Sequence, residues 1–207
     1  FVSSSATIAA MGQRAQSDPT RAVAAAAAGM ASSVATTVLM AILLVSASLT
    51  LLRAVWPMLL AGTVTALVAT VLLARRARTS TSDPSETSGR PFNPVDALIF
   101  AGLLATVLLA SAVLKAWLGP QAIWLAAASA GLADVHAVTL SMGQLVATDQ
   151  IGVGTARWAL VLGFASNMAT KMFLARRAGR EYLGHLWPGH LAMLLVFAGM
   201  ALLLPAG

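Results

Sequence analysis

The sequence has no cysteine and very few charged residues, and both shortages restrict what the chain can be. Without cysteine there are no disulfide bonds and no thiolate metal sites. Only 10% of the 207 residues are charged and 58% are hydrophobic, whereas soluble domains carry roughly 25% charged residues. A water-soluble fold is therefore excluded, and we expect a protein whose main partner is the lipid bilayer.

The positive net charge of +6 does not indicate a nucleic-acid partner. The arginines cluster at the edges of apolar runs, as at positions 75–78 and 176–180, where they would meet lipid headgroups. Arginine also strongly outnumbers lysine and alanine is abundant, a bias typical of GC-rich bacterial coding. We expect a multi-pass protein of the bacterial inner membrane.

Six apolar runs are long enough to cross the hydrocarbon layer, which takes about 20 residues. A chain in lipid must satisfy its backbone internally, and the alternation of a membrane barrel is missing, so we predict an all-α integral membrane protein. Two Trp-Pro pairs, at 56–57 and 187–188, predict the starts of the second and sixth spans, and Gly12 the end of a preceding helix. The predicted spans are residues 22–52, 57–74, 95–117, 121–147, 155–175 and 189–204.

Parts of the chain match each other, which predicts two tandem structural repeats. Ala6–Gln13 matches Ala137–Gln144, and Trp56-Pro57 matches Trp187-Pro188, both at an offset of 131 residues. Gly29–Thr36 matches Gly163–Thr170 at an offset of 134. With every span crossing fully, the copies are predicted to be parallel. The predicted units are residues 1–75, whose leading helix would lie before residue 1, a polar linker at 76–94, and residues 95–207.

The linker is the only long hydrophilic stretch, rich in Ser, Thr, Pro and charge, and it predicts a flexible segment outside the membrane. If the spans alternate sides, six arginines share the linker's side and five basic residues lie on the other. The positive-inside rule then favours a cytoplasmic linker.

Small and polar residues form a matched stripe in the two copies. A helix places residues three, four and seven positions apart on one face. One interpretation is close helix packing, because small and hydroxyl residues let membrane helices approach and bond to each other. The other is a binding site for a substrate or ion. The stripe comprises Gly163, Ser166, Asn167, Thr170 and Lys171 in the second copy and Gly29, Ser32, Ser33, Thr36 and Thr37 in the first.

Asp134 and Lys171 are the notable charges inside predicted spans. Ionisable groups in a membrane are costly and usually have a partner, so we predict that the two pair, with Asn167 bridging them. The alternative is that Lys171 extends to the membrane interface and Asp134 forms a local hydrogen bond.

The histidines do not indicate a reactive centre. His136 lies two residues from Asp134, on another side of a continuous helix, and is interpreted as a packing residue. His185 and His190 flank the second Trp-Pro pair and are interpreted as solvated. No nucleophile, phosphate-binding, metal or cofactor motif is present, so we expect no enzyme, no metal site and no cofactor.

Three motifs resemble the membrane family called domain of unknown function 4010. They are the segment Phe1–Gly12, the pattern Gly-Leu-x-Asp-x-x-Ala-x-Thr beginning at Gly131, and the pattern Ser-Asn-x-x-x-Lys ending at Lys171. The resemblance covers nearly the whole chain. It implies a C-terminal domain of bacterial proteins of the MgtC/SapB type, with an upstream membrane domain as a partner and a role in ion homeostasis.

Two functions remain open. The first is a transporter or channel for a small ion or solute, indicated by the duplication and by a site of Asp134, Asn167, Lys171, Ser166, Thr170, Ser32 and Ser33. The second is a scaffold or regulatory module whose small-residue faces bind another membrane protein or a second copy of the chain.

Overall fold

A computed structural model describes residues 4–80 and 123–204 of the chain. All regular secondary structure within these two ranges is helical. The helices are α1 (Ser4–Ser17), a short 3-10 helix (Pro19–Arg21), α2 (Ala22–Ala47), α3 (Leu49–Ser80), α4 (Ile123–Ala133), α5 (Val135–Ala147), α6 (Val153–Arg177) and α7 (Arg180–Leu203).

Four helices in the described ranges are long and apolar enough to cross a membrane: α2, α3, α6 and α7. Their outward surfaces carry large apolar side chains, such as Leu195 with 63% of its surface exposed, as expected of helices that face lipid. The helices α4 and α5 are apolar but shorter. The predicted span at 95–117 and the linker beyond residue 80 lie outside the described residues, whereas residues 76–80 continue α3.

One residue, Ser48, separates α2 from α3. Its backbone is extended, and its hydroxyl accepts a hydrogen bond from the amide of Leu51 at 3.2 Å. Serine is a favoured residue at a helix start because this bond satisfies an amide that has no partner inside the helix. The first predicted span, residues 22–52, is therefore wrong at its end: α2 stops at Ala47 and α3 begins at Leu49.

Both Trp-Pro pairs lie inside helices and not at their starts, contrary to prediction. Pro57 is inside α3 and Pro188 is inside α7, in each case eight residues after the first residue of the helix. Proline removes one backbone hydrogen bond, which membrane helices tolerate where neighbouring groups replace it. Likewise α1 continues past Gly12 to Ser17.

The run predicted as one full span at 121–147 is a helical hairpin. Its backbone is extended at Asp134, between α4 and α5. Trp124, at the start of α4, donates from Nε1 to the carbonyl of Thr155 at the start of α6, at 3.4 Å. The last residue of α5 is joined to the start of α6 by a short turn. The outer ends of α4 and α5 thus lie on the same side, and the prediction of a complete crossing is wrong.

Contacts between helix ends show the direction of each helix. Near the end of α1, Gln16 donates from Nε2 to the carbonyl of Arg177, the last residue of α6, at 2.9 Å. Near the end of α5, a Cβ built on Gly143 would lie 2.6 Å from the Cβ of Ala47, the last residue of α2. Since α1 leads into α2 and α5 into α6, the helices α2 and α6 run in opposite directions. The matched segments are antiparallel, and the predicted parallel arrangement is wrong.

Most arginines of the described ranges lie at one end of the bundle, called the basic end. It contains the ends of α1, α3 and α6 and the starts of α2 and α7. The opposite end has Arg53 and the buried Arg157, which donates to the carbonyl of Leu204 at 3.1 Å. The arginines of the basic end are Arg14, Arg21, Arg75, Arg76, Arg78, Arg176, Arg177 and Arg180.

Candidate ion or solute site

The α4–α5 hairpin turns at Asp134, and this turn, called the tip, contacts α6. Two backbone groups of the tip that would bond to each other in an unbroken helix bond to side chains instead. In an unbroken helix the amide of His136 would donate to the carbonyl of Leu132. Here the amide donates to Oδ1 of Asp134 at 2.9 Å, and the carbonyl of Leu132 accepts from the hydroxyl of Thr170 in α6 at 2.9 Å. Asp134 is therefore a helix cap, and Thr170 docks the tip to α6.

Thr170→Val is expected to loosen the hairpin without changing the shape of α6. Valine keeps the side-chain volume but cannot donate to the carbonyl of Leu132, so this acceptor at the tip loses its partner. An ordinary hydrogen bond contributes about 0.5–1.5 kcal/mol to stability. The free energy of unfolding, measured in mixed detergent micelles, should fall by that amount relative to Thr148→Val, whose exposed hydroxyl bonds only to carbonyls of its own helix and to Gln150. Equal stability of the two variants would contradict this role.

Lys171 follows Thr170 in α6 and faces α2. Its side chain is completely buried, with 0% of its surface exposed. Its Nζ donates to the hydroxyl oxygens of Ser33 and Thr36, both at 3.3 Å. The hydroxyl stripe of α2 and the lysine of α6 thus meet in the interior, between two antiparallel helices.

His190 completes this cluster from α7. It is 2% exposed, so its interpretation as a solvated residue is wrong. Its Nδ1 lies 3.0 Å from the carbonyl of Leu186, and its Nε2 lies 3.1 Å from the hydroxyl of Ser33. A carbonyl only accepts, so Nδ1 carries a proton; in the neutral imidazole Nε2 then accepts, and the hydroxyl of Ser33 donates to it. The hydrogen bonds run in one direction from Lys171 through Ser33 to His190.

The remaining predicted site residues are Asn167 and Ser166 in α6 and Ser32 in α2. Asn167, one turn before Lys171, is 3% exposed, and its Oδ1 has no hydrogen-bond partner among the described residues. Ser166 is half-buried, and its carbonyl is a second, weaker acceptor for the hydroxyl of Thr170 at 3.3 Å. Ser32 bonds within α2, donating to the carbonyl of Gly29 at 2.6 Å.

Asp134 and Lys171 do not form the predicted pair. Oδ1 of Asp134 lies 2.8 Å from Nδ1 of His136, which comes within reach because the helix is broken at Asp134. In the part of the chain that the structure describes, no carboxylate lies within ion-pairing distance of Lys171. Asp134 bonds locally, as the alternative interpretation expected. Lys171 does not extend to the interface, because it is held by Ser33 and Thr36 inside the bundle.

Residues 4–80 and 123–204 contain no group of three or more His, Cys, Asp or Glu side chains that could hold a metal ion. The cluster around Lys171 instead offers hydroxyl and amide oxygens, one amine and the imidazole of His190. The amine and the imidazole are the groups here that can take up a proton, and the oxygens can accept hydrogen bonds.

Thr36 and His190 belong to the cluster but were not among the predicted site residues. Thr36 was already in the matched stripe. The burial of His190 was predictable from the helical periodicity of α7. If the helix is taken to start at Arg180, its buried residues recur every three or four positions, and His190 is one of them. They are Tyr182, Leu186, His190, Met193, Phe197 and Ala201.

Four apolar helices of spanning length and an interrupted hairpin with a buried polar cluster define a helical membrane protein. The chain belongs to the family described as Domain of unknown function (DUF4010), whose model matches residues 1–179. The resemblance to this family is thereby confirmed, whereas the link to proteins of the MgtC/SapB type and to ion homeostasis stays a prediction. Comparison with curated proteins and with solved structures gave no match.

Proposed function

We propose that this protein is a transporter or channel that moves a small ion or solute across the bacterial inner membrane. The observation that carries the proposal is the position of two neighbouring residues of α6. Thr170 bonds to the tip of an interrupted hairpin, and Lys171 bonds to hydroxyls of α2. Buried ionisable groups beside an interrupted helix are typical of pathways through a membrane, because their cost is kept only where they serve a function.

Contacts that repeat at a constant offset support a duplicated origin of this arrangement. Gly12 packs so closely on Ala178 that a Cβ there would overlap the Cβ of alanine. Gly143, 131 residues after Gly12, packs in the same way on Ala47, which is 131 residues before Ala178. Such an exchange of positions is what a two-fold axis between two copies produces. The same offset relates the first residues of α2 and α6 and of α3 and α7.

Opposite directions of the two copies favour transport in particular. An axis that relates antiparallel copies lies in the plane of the membrane. Transporters built from such inverted repeats bind their cargo near mid-membrane, between the repeats and beside discontinuous helices. In this protein the bonds of Lys171 to Ser33 and Thr36 join the two copies.

The distribution of arginines favours a cytoplasmic basic end, and therefore a cytoplasmic linker after α3. Because the chain has no cysteine, labelling of a single introduced cysteine shows on which side of the membrane that residue lies. A membrane-impermeant maleimide should label Thr148→Cys in intact cells, whereas Arg177→Cys should be labelled only after the cells are permeabilised. The reverse pattern would contradict this orientation, and labelling of both in intact cells would contradict the assignment of the two residues to opposite ends.

The proposed function is tested by ion flux in proteoliposomes. The probes are Na⁺, K⁺, Mg²⁺, chloride and phosphate, and currents on a solid-supported membrane are the readout. We expect flux of at least one probe above protein-free liposomes, and an equal flux for the lipid-facing variant Leu195→Ala. A folded protein that carries none of the five would count against transport and favour the alternative of a scaffold for another membrane protein.

A further inference from the structure

With a neutral His190, the directions of the hydrogen bonds around Lys171 follow from two backbone carbonyls, of Leu186 and Ser32, which can only accept. The hydroxyl of Ser33 donates to His190, so its oxygen accepts from Lys171. The hydroxyl of Thr36 donates to the carbonyl of Ser32 at 3.0 Å, so its oxygen accepts from Lys171 as well. Lys171 is the donor in both bonds.

The number of acceptors around Lys171 suits both of its protonation states. A neutral amine has two N–H groups, and two hydroxyl oxygens accept them. An ammonium has three. A third acceptor, Oδ1 of Asn167, is buried without a partner among the described residues and lies one helical turn away on the same side of α6.

The surrounding charges do not hold Lys171 in one state. Within residues 4–80 and 123–204, no carboxylate is within ion-pairing distance of the amine, although a permanent buried ammonium normally needs such a partner. The titratable group that faces it from α7 is His190, separated from it by the hydroxyl of Ser33. From α2 it meets only hydroxyls.

We propose that the amine of Lys171 binds a proton and releases it again during transport, with Asn167 accepting the third N–H of the ammonium. The coupling ion of the transporter would then be the proton, which joins R–NH₂ to give R–NH₃⁺ and leaves by the reverse step. This inference rests on the proposed transport function, but its first test needs no solute.

The first test is nitrogen NMR of the protein in nanodiscs, labelled with ¹⁵Nζ-lysine. The sequence has two lysines, Lys115 and Lys171, so two signals are expected, and Lys171→Met identifies the second. We expect the Lys171 signal to move reversibly between the ammonium and the amine positions as the pH is changed. Asn167→Leu should shift the midpoint of that change, whereas Ser166→Ala should not. A Lys171 chemical shift that stays constant over the whole pH range, or a midpoint pH that is the same in Asn167→Leu as in the wild type, would overturn the inference.

The second test measures coupling in the proteoliposomes that show flux. A proton gradient should drive or retard the flux of the wild type. Lys171→Arg keeps the charge but cannot release the proton, so its flux should no longer respond to the gradient. Flux that ignores the gradient in the wild type would overturn this inference and leave the proposed function standing. Absence of flux for every probe would instead count against the proposed function.

Discussion

Lys171→Met is expected to reduce ion flux by about 100-fold or more, because it removes the one group that joins α2 to α6 at the polar cluster. Hydrogen bonds from a charged donor contribute about 1.5–3 kcal/mol each. Every 1.4 kcal/mol corresponds to about a factor of ten. A 100-fold loss of flux corresponds to about 2.8 kcal/mol, the size of one such bond, when that bond is remade in the rate-limiting step of transport and not only in the resting fold. The measurement is the initial rate of the probe that the wild type carries.

The stability of Lys171→Met separates loss of function from loss of fold. Burial of an amine without an ionic partner costs free energy that an apolar side chain of similar volume does not, and Ser33 and Thr36 keep their bonds to His190 and to the carbonyl of Ser32 in the variant. We therefore expect an unchanged or raised free energy of unfolding together with the lost flux. Met40→Leu, a buried apolar exchange in α2, is the control and should preserve both. Flux of Lys171→Met within a few fold of the wild type would show that the lysine is structural.

Gly131→Ala is expected to cause the largest loss of stability among single substitutions in the hairpin. A Cβ at this position would overlap the carbonyl oxygen of Gly163 and lie 2.6 Å from its Cα. The atoms of Gly163 that this Cβ would meet belong to the backbone and cannot move by a change of rotamer, so α4 must move away from α6. Overpacking of this kind costs about 1–3 kcal/mol and occasionally more. The separation would also stretch the bond from Thr170 to the carbonyl of Leu132.

A matched control exists in α6 itself. A Cβ at Gly154 would meet nothing within 4 Å, so Gly154→Ala should leave stability unchanged or raise it, since alanine favours a helix over glycine. Unfolding of both variants in mixed detergent micelles gives the comparison. Equal stability of the two would contradict the close approach of α4 and α6.

The membrane class and the helical fold were predictable because they depend on quantities that add along the chain. Scarce charge and long apolar runs exclude a soluble domain whatever the details of packing. The bounds of α6 were also predicted within two residues, at 155–175 against Val153–Arg177. This helix has a polar turn before it and arginines after it, so both ends are marked in the sequence.

The break at Asp134 was missed because the residue was interpreted only as a buried charge. Aspartate before an apolar run is also a strong signal for a helix start, and that property decides its role here. One error led to another. A complete crossing at 121–147 would make the matched segments parallel, whereas a hairpin that returns to its own side makes them antiparallel.

The polar cluster was partly predictable. Ser33, Asn167 and Lys171 were singled out from the matched stripe, and the structure brings Ser33 into contact with Lys171. The partner of each group was not predictable, since it depends on which helices meet. His190 was missed because proline was taken as the start of α7, although a membrane helix can contain it.

Accessibility of Ser33 to water is the most direct test of a transport site between α2 and α6. Ser33 and Met40 are both 0% exposed and both belong to α2, but only Ser33 touches Lys171. With no native cysteine, Ser33→Cys and Met40→Cys can be compared with a small charged methanethiosulfonate reagent. A transport site predicts that Ser33→Cys reacts from at least one side of the membrane while Met40→Cys does not. Equal reactivity of the two cysteines, or none at either, would contradict the account.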